Sequence, residues 1–161
     1  MKPRKQTLPL AGLVLALATP AWAQVQKVAI RTTGISCGVC AAVSEIGFRR
    51  IPGVAKVDIS LSQEAIMLSY KPGAAFNPRR IREVLRPLEV GVVQFQIGAR
   101  GHIQEQGGKR FFVAAKDRFI LAPAGNAPSP PLDTPLLIEA ILDDQPSPME
   151  LRILNFKPAA Q

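Results

Sequence analysis

From Gln26 to Arg31 polar and apolar residues alternate with period two, which predicts a strand with Val28 and Ile30 turned toward a core. A loop follows at Thr33-Gly34-Ile35-Ser36. Val39, Val43 and Ile46 then recur at helical spacing and predict a helix through Ala41 to Arg50, closed by the turn residues Pro52-Gly53. Val57, Ile59 and Leu61 alternate with Lys56, Asp58 and Ser60, and after Ser62-Gln63 the alternation resumes in Ile66, Leu68 and Tyr70, which predicts a hairpin. Lys71-Pro72-Gly73 ends it. Asn77-Pro78 reads as a helix start, because Asn can cap the free N–H groups and Pro suits the first helical position. Ile81, Val84, Leu85 and Leu88 mark the buried face of this helix, and Pro87 should end or distort its last turn. Val90, Val92, Val93, Phe95 and Ile97 supply a final strand. The order strand, helix, strand, strand, helix, strand is the split βαβ pattern of a ferredoxin-like sandwich, an α+β fold in which two helices cover one face of an antiparallel sheet.

After Ala99 the helical period almost vanishes. Short strand-like runs appear at Gly101 to Gln104, Arg110 to Ala114, Arg118 to Leu121, Leu136 to Leu142 and Leu151 to Phe156. Gly107-Gly108, Lys116-Asp117 and the run from Asp143 to Pro148 punctuate them, and a Pro-, Ala- and Gly-rich stretch between Ala122 and Pro135 reads as an irregular loop. Five short strands suggest a small β-barrel or sheet with a faint likeness to an OB-type barrel. The expected organisation is therefore a ferredoxin-like unit over 24–98 and a small all-β unit over 99–161.

The first 23 residues have a different character. Lys2, Arg4 and Lys5 precede an apolar run from Leu8 to Leu17, and Ala21-Trp22-Ala23 offers a small-x-small cleavage pattern, the layout of a secretory signal cut after Ala23. At roughly ten residues the apolar run falls short of the ~20 that a membrane-spanning helix needs, so no stable span is expected after cleavage. The expected location is the periplasm or another exported compartment. Removing the leader takes three positive charges, which turns a formal net charge of +8 into +5 for a chain beginning at Gln24. The remaining cations, such as Arg49-Arg50, Arg79-Arg80 and Lys109-Arg110, are scattered without an aromatic stacking pattern, so no nucleic-acid partner is expected.

The chemistry lies in the two cysteines, Cys37 and Cys40, placed where a strand hands over to a helix. Two intervening residues make any site they form a single local loop, and Gly38 between them is expected to let the loop turn tightly. Cys40 at the helix start would be favoured as a thiolate by the positive end of the helix. Thiolates select thiophilic ions, and a two-sulfur site is open where a structural zinc is closed by four ligands. Two other readings use the same residues: a thioredoxin-like redox pair, in which Cys37 as the more exposed member attacks a disulfide, and a short-loop structural disulfide. No Trp precedes Cys37 and no Pro separates the pair, unlike the common thioredoxin motif.

These residues resemble the heavy-metal-associated domain of copper chaperones, P-type ATPase amino-terminal modules and the periplasmic mercury-binding protein. The family pattern Gly-Met-x-Cys-x-x-Cys is met here by Gly34-Ile35-Ser36-Cys37-Gly38-Val39-Cys40, and Ile51-Pro52-Gly53-Val54 is similar to the family's turn into its second strand. The resemblance covers about residues 26 to 97. It implies a metal site at Cys37 and Cys40, with Cu(I) or Hg(II) as the ion and Zn(II) also accepted by two thiolates. Two departures stand out. Ile35 occupies the usual Met position with similar volume, and Glu89-Val90 stands where the family offers Gly-Tyr, Gly-Phe or a Lys near the metal.

His102 is the only histidine, and Met67 and Met149 are the only methionines beyond Met1; they are expected at the surface or in packing rather than as ligands. Asp117, Asp133, Asp143 and Asp144 lack a nucleophile or second His beside them, and three sit in turn contexts. The sequence thus reads as a metal carrier and not an enzyme, its β-rich half a docking module toward a membrane metal transporter or another exported protein. An adaptor carrying a structural disulfide is the remaining alternative.

Overall fold

The computed structural model describes residues 24–123 and 129–159. The expected leader and its cleavage point after Ala23, and part of the Pro-rich stretch, lie outside the described residues.

The alternating patterns become β1 (Gln24–Thr33), β2 (Val54–Ser60) and β3 (Ala65–Tyr70), with α1 (Gly38–Arg49) after β1 and α2 (Pro78–Leu85) after β3. A 3-10 turn, Arg86–Leu88, carries Pro87 and leads into β4 (Gly91–Gln106). The order in this part of the sheet is β2-β3-β1-β4, all antiparallel, which is the ferredoxin-like arrangement the periods predict. Asn77 caps α2 as expected: its Oδ1 accepts the N–H of Arg79 at 3.0 Å and that of Arg80 at 3.4 Å. Ile81 and Leu85 are buried, with Val84 and Leu88 partly so.

The first helix departs from expectation in two ways. It begins at Gly38, three residues before the predicted start, because the Cys37 carbonyl already accepts the Ala41 N–H at 3.1 Å. Its aliphatic row is also turned outward: Val39, Val43 and Ile46 are 74%, 47% and 54% exposed, while Ser44 and Phe48 are buried. The 3.6-residue period was real, but it marks the solvent face. Helix α1 meets α2 through a backbone-close contact at Gly47, where an added Cβ would lie 2.6 Å from Cγ1 of Val84.

The second half is built from the same sheet. β4 runs 16 residues without interruption through position 98, so its first part pairs with β1 and its last part begins a closed five-stranded barrel. The barrel continues through β5 (Lys109–Ala114), β6 (Asp117–Leu121), β8 (Glu150–Pro158) and β7 (Leu136–Asp143), and β7 returns to pair with β4 from Phe95 to Gly101. β6 and β8 form the one parallel pair among the described strands, and the rest are antiparallel. The five expected strand-like runs are all present, the first as the continuation of β4. Alternate residues of β4, from Phe95 through Ile97 and Ala99 to Ile103, stay on one face, which joins the sandwich core to Phe112, Phe119 and Leu151 of the barrel in one apolar cluster.

Polar contacts tie the halves together. Nε and Nη2 of Arg82 on α2 donate to the two oxygens of Asp144 at 2.7 and 2.8 Å, and the same guanidinium lies 5.2 Å from the Phe95 ring centroid. Those hydrogen bonds hold the Asp144 carboxyl below its usual range. Oδ2 of Asp117 accepts the Phe76 N–H at 3.2 Å across the halves, while within the first half the Gln24 side chain accepts the Gly73 N–H at 2.5 Å. Asp133 donates its N–H to the Ile103 carbonyl at 2.9 Å, and the Arg110 guanidinium donates to the Pro130 carbonyl, which pins the strandless segment before β7 to the barrel. Among the described residues no helix is long and apolar enough to cross a membrane.

Candidate metal centre

The loop that joins β1 to α1 is fixed at its root. Gly34 adopts φ +87, a left-handed conformation natural to glycine, and its missing Cβ leaves room for the Glu89 carbonyl, which would lie 3.4 Å from that atom. Ile35 is fully buried, so the aliphatic at the family's Met position does pack beneath the loop. Gly38 behaves otherwise than expected. It is the first residue of α1, has open space around its Cα, and needs no glycine-only backbone.

Cys37 is the N-cap of α1, with extended φ −123 and ψ 146, and its sulfur accepts the Cys40 N–H at 3.1 Å. A sulfur at this place meets one of the unpaired N–H groups at the positive end of the helix, which favours a thiolate on Cys37. Cys40 lies in the first turn of α1, at the helix start where the residue pattern places it, and Cys37 is the N-cap itself. Cys37 is exposed and Cys40 half-buried. In the structure the two sulfurs are joined as a disulfide with Cα atoms 5.4 Å apart. The structure thus draws the pair together in its oxidised form.

Reduced, the same pair can span an ion. A linear S–metal–S unit needs sulfurs about 4.6 Å apart, twice a metal–thiolate bond of about 2.3 Å. No group of three or more His, Cys, Asp or Glu side chains among the described residues could hold an ion. His102 lies on β4 eleven positions beyond Gly91, the residue paired with Thr33 at the loop end, which at about 3.3 Å per residue is roughly 36 Å of strand. Its Nε2 instead meets the Gln104 amide at 2.9 Å. Met67 is 39% exposed on the side of β3 away from the helices, and Met149 packs against the barrel core.

Two residues flank this loop, Glu89, which the sequence marks only as a departure from the family pattern, and Glu64, which its sequence context does not single out. Glu64, in the β2–β3 turn, accepts the Gly34 N–H on its Oε1 at 3.2 Å. Glu89, exposed and with φ 55, closes the other side. Both hold positive φ, which no sequence period announces.

No family model matches the sequence, and no curated relative does. Solved structures similar to it include a metallochaperone and a copper transporter domain. A structure described as the CopZ metallochaperone is 21% identical, with a TM-score of 0.38, over 42% of this chain and 98% of its own. The yeast copper transporter domain Ccc2A is 21% identical, with a TM-score of 0.36, over 42% of this chain and 94% of its own. The amino-terminal soluble domains of Bacillus subtilis CopA are 28% identical with a TM-score of 0.37, over 51% of this chain and 54% of theirs.

Proposed function

We infer that this chain is an exported carrier of a soft metal ion, held by Cys37 and Cys40 as a pair of thiolates once their disulfide is reduced. The observation that carries the reading is a sulfur pair at a helix N-cap, Cys37 exposed and Cys40 half-buried, with no His, Asp or Glu grouped with it among the described residues. Zinc in proteins takes four ligands almost without exception, whereas thiolates are the ligands that select Cu(I) and similar soft ions. Copper or mercury therefore suits the site better than zinc. Opening the site takes two electrons and two protons, and uptake of the ion displaces both thiol protons. An open two-sulfur site can pass its ion on by ligand exchange to a membrane metal transporter or another exported protein, with no chemistry on a substrate and hence no enzyme.

One observation favours a second reading. The joined sulfurs and the exposed N-cap position of Cys37 also suit a thiol–disulfide exchange protein, in which Cys37 attacks a partner disulfide and Cys40 resolves it. Anaerobic reduction followed by Cu(I) titration against a chromophoric chelator separates the two. The carrier reading expects one ion per chain in the native sequence and none in the Cys37→Ser, Cys40→Ser double variant, with the circular dichroism of the fold unchanged. A reduced protein that takes up no soft ion yet reduces a disulfide substrate would reverse the order.

A further inference from the structure

The sulfur pair rests on a loop whose root is held from another element. Glu64 lies in the β2–β3 turn, 30 residues from Gly34 in sequence, and reaches the end of β1 three times. Its carbonyl accepts both the N–H and the hydroxyl of Thr32, each at 2.8 Å, and its Oε1 accepts the Gly34 N–H at 3.2 Å. Thr32 is buried, so the first two bonds anchor the turn to the sheet. The third is different in kind: it fixes the peptide at which the chain leaves β1 for the cysteines. Glu64 holds φ 46 to make it, a conformation rare outside glycine. On the opposite side the Glu89 carbonyl faces Gly34, so the loop root is gripped between the hairpin turn and the junction of α2 with β4.

We propose that Glu64 is a positioning residue for the Cys37–Cys40 centre, acting through the Gly34 N–H, an inference that rests on the metal-carrier reading. A two-sulfur site gains affinity from pre-organisation, because every loop conformer that parts the sulfurs wrongly must be excluded on binding. Anchored at Gly34, with Ile35 packed beneath, the loop presents Cys37 at the N-cap whether the sulfurs are bridged or parted. Without the carboxylate the root is held on one side only. The same restraint brings the thiols together for oxidation, so Glu64 acts on the disulfide equilibrium as well as on the ion.

Two variants of the full mature chain separate positioning from folding. Glu64→Gly removes the side chain while suiting the positive φ, so its melting temperature should equal or exceed that of the native protein. Its Cu(I) affinity, measured by chelator competition, should fall about fivefold, the order expected for one exposed charge-assisted hydrogen bond, and its dithiol–disulfide equilibrium with glutathione should move by a similar factor. Glu64→Gln keeps an oxygen acceptor and should recover most of both. Native affinity together with the native glutathione equilibrium in Glu64→Gly overturns the proposal, as does a Glu64→Gln variant that falls as far as Glu64→Gly. If the native chain takes up no Cu(I), the carrier reading fails while the glutathione measurement still judges Glu64.

Discussion

A single carboxylate shows how the environment of a residue departs from its sequence context. Asp117 stands beside Lys116 in what reads as a turn, where Asp is common for backbone hydrogen bonding. It does bond a backbone N–H, but that of Phe76, 41 residues away, in a half-buried seam beside Tyr70. Burial raises the Asp117 carboxyl above its usual value, opposed by the Phe76 hydrogen bond. Burial, and then the nearby Asp117 charge, push the Tyr70 phenol above its usual value. An acid whose folded-state pKa is raised costs nothing below its unfolded value of about 3.9 and costs most above its folded value. Asp117→Asn keeps the acceptor for Phe76 and removes the charge, so it should stabilise the protein at pH 7 and leave it unchanged near pH 3. Urea denaturation at both pH values measures this; a variant less stable at pH 7 would show that the charge itself is needed. The cysteines, by contrast, were legible at residue scale, since their types and spacing are local. Glu64 was not, because its bond to Gly34 spans 30 residues that include both α1 and β2.

Among the elements, the strands were read well and one helix face was not. Strand alternation survived because each strand of the sandwich buries one face only, and the register puts Val28 beside Leu68 and Ile97, all buried. Helix α1 carries its aliphatic row on the outside, so a reading that equates apolar with buried inverts it. Deleting the Phe48 side chain should cost about 3–5 kcal/mol, as expected for a fully buried aromatic. Val43→Ser on the exposed row should stay within about 0.5 kcal/mol. Equal losses in thermal or urea denaturation of the two variants would mean that the face is wrongly placed. For α2 the caps made the difference: Asn77, Pro78 and Pro87 are local signals that set both ends, and both ends lie where those signals place them.

At the scale of the whole molecule the sequence suggested a change of character after position 98, and composition does change there. What periodicity could not reveal is that β4 continues through it. An unbroken strand has the same alternation on either side of a junction, so nothing local marks the passage from sandwich to barrel. The barrel closure depends on β7 returning to β4 and on β6 lying parallel to β8, pairings set by non-local contacts that no single segment encodes. The Arg82–Asp144 bridge belongs to the same class, with Asp144 only 9% exposed at its side chain although its run reads as a surface turn. One sheet and one continuous core thus carry the cysteine loop at one end of β4 and the barrel at the other. Any partner that docks on the barrel would meet the cysteine loop in a fixed relation.

The central claim is that two sulfurs of this loop, and nothing else in the chain, hold a soft ion. X-ray absorption at the copper edge of the anaerobically reduced, Cu(I)-loaded monomer tests it most directly. The expected spectrum has two sulfur scatterers and neither nitrogen nor oxygen in the first shell. A first shell containing nitrogen or oxygen donors, or copper retained one per chain after both cysteines are replaced by serine, would contradict it.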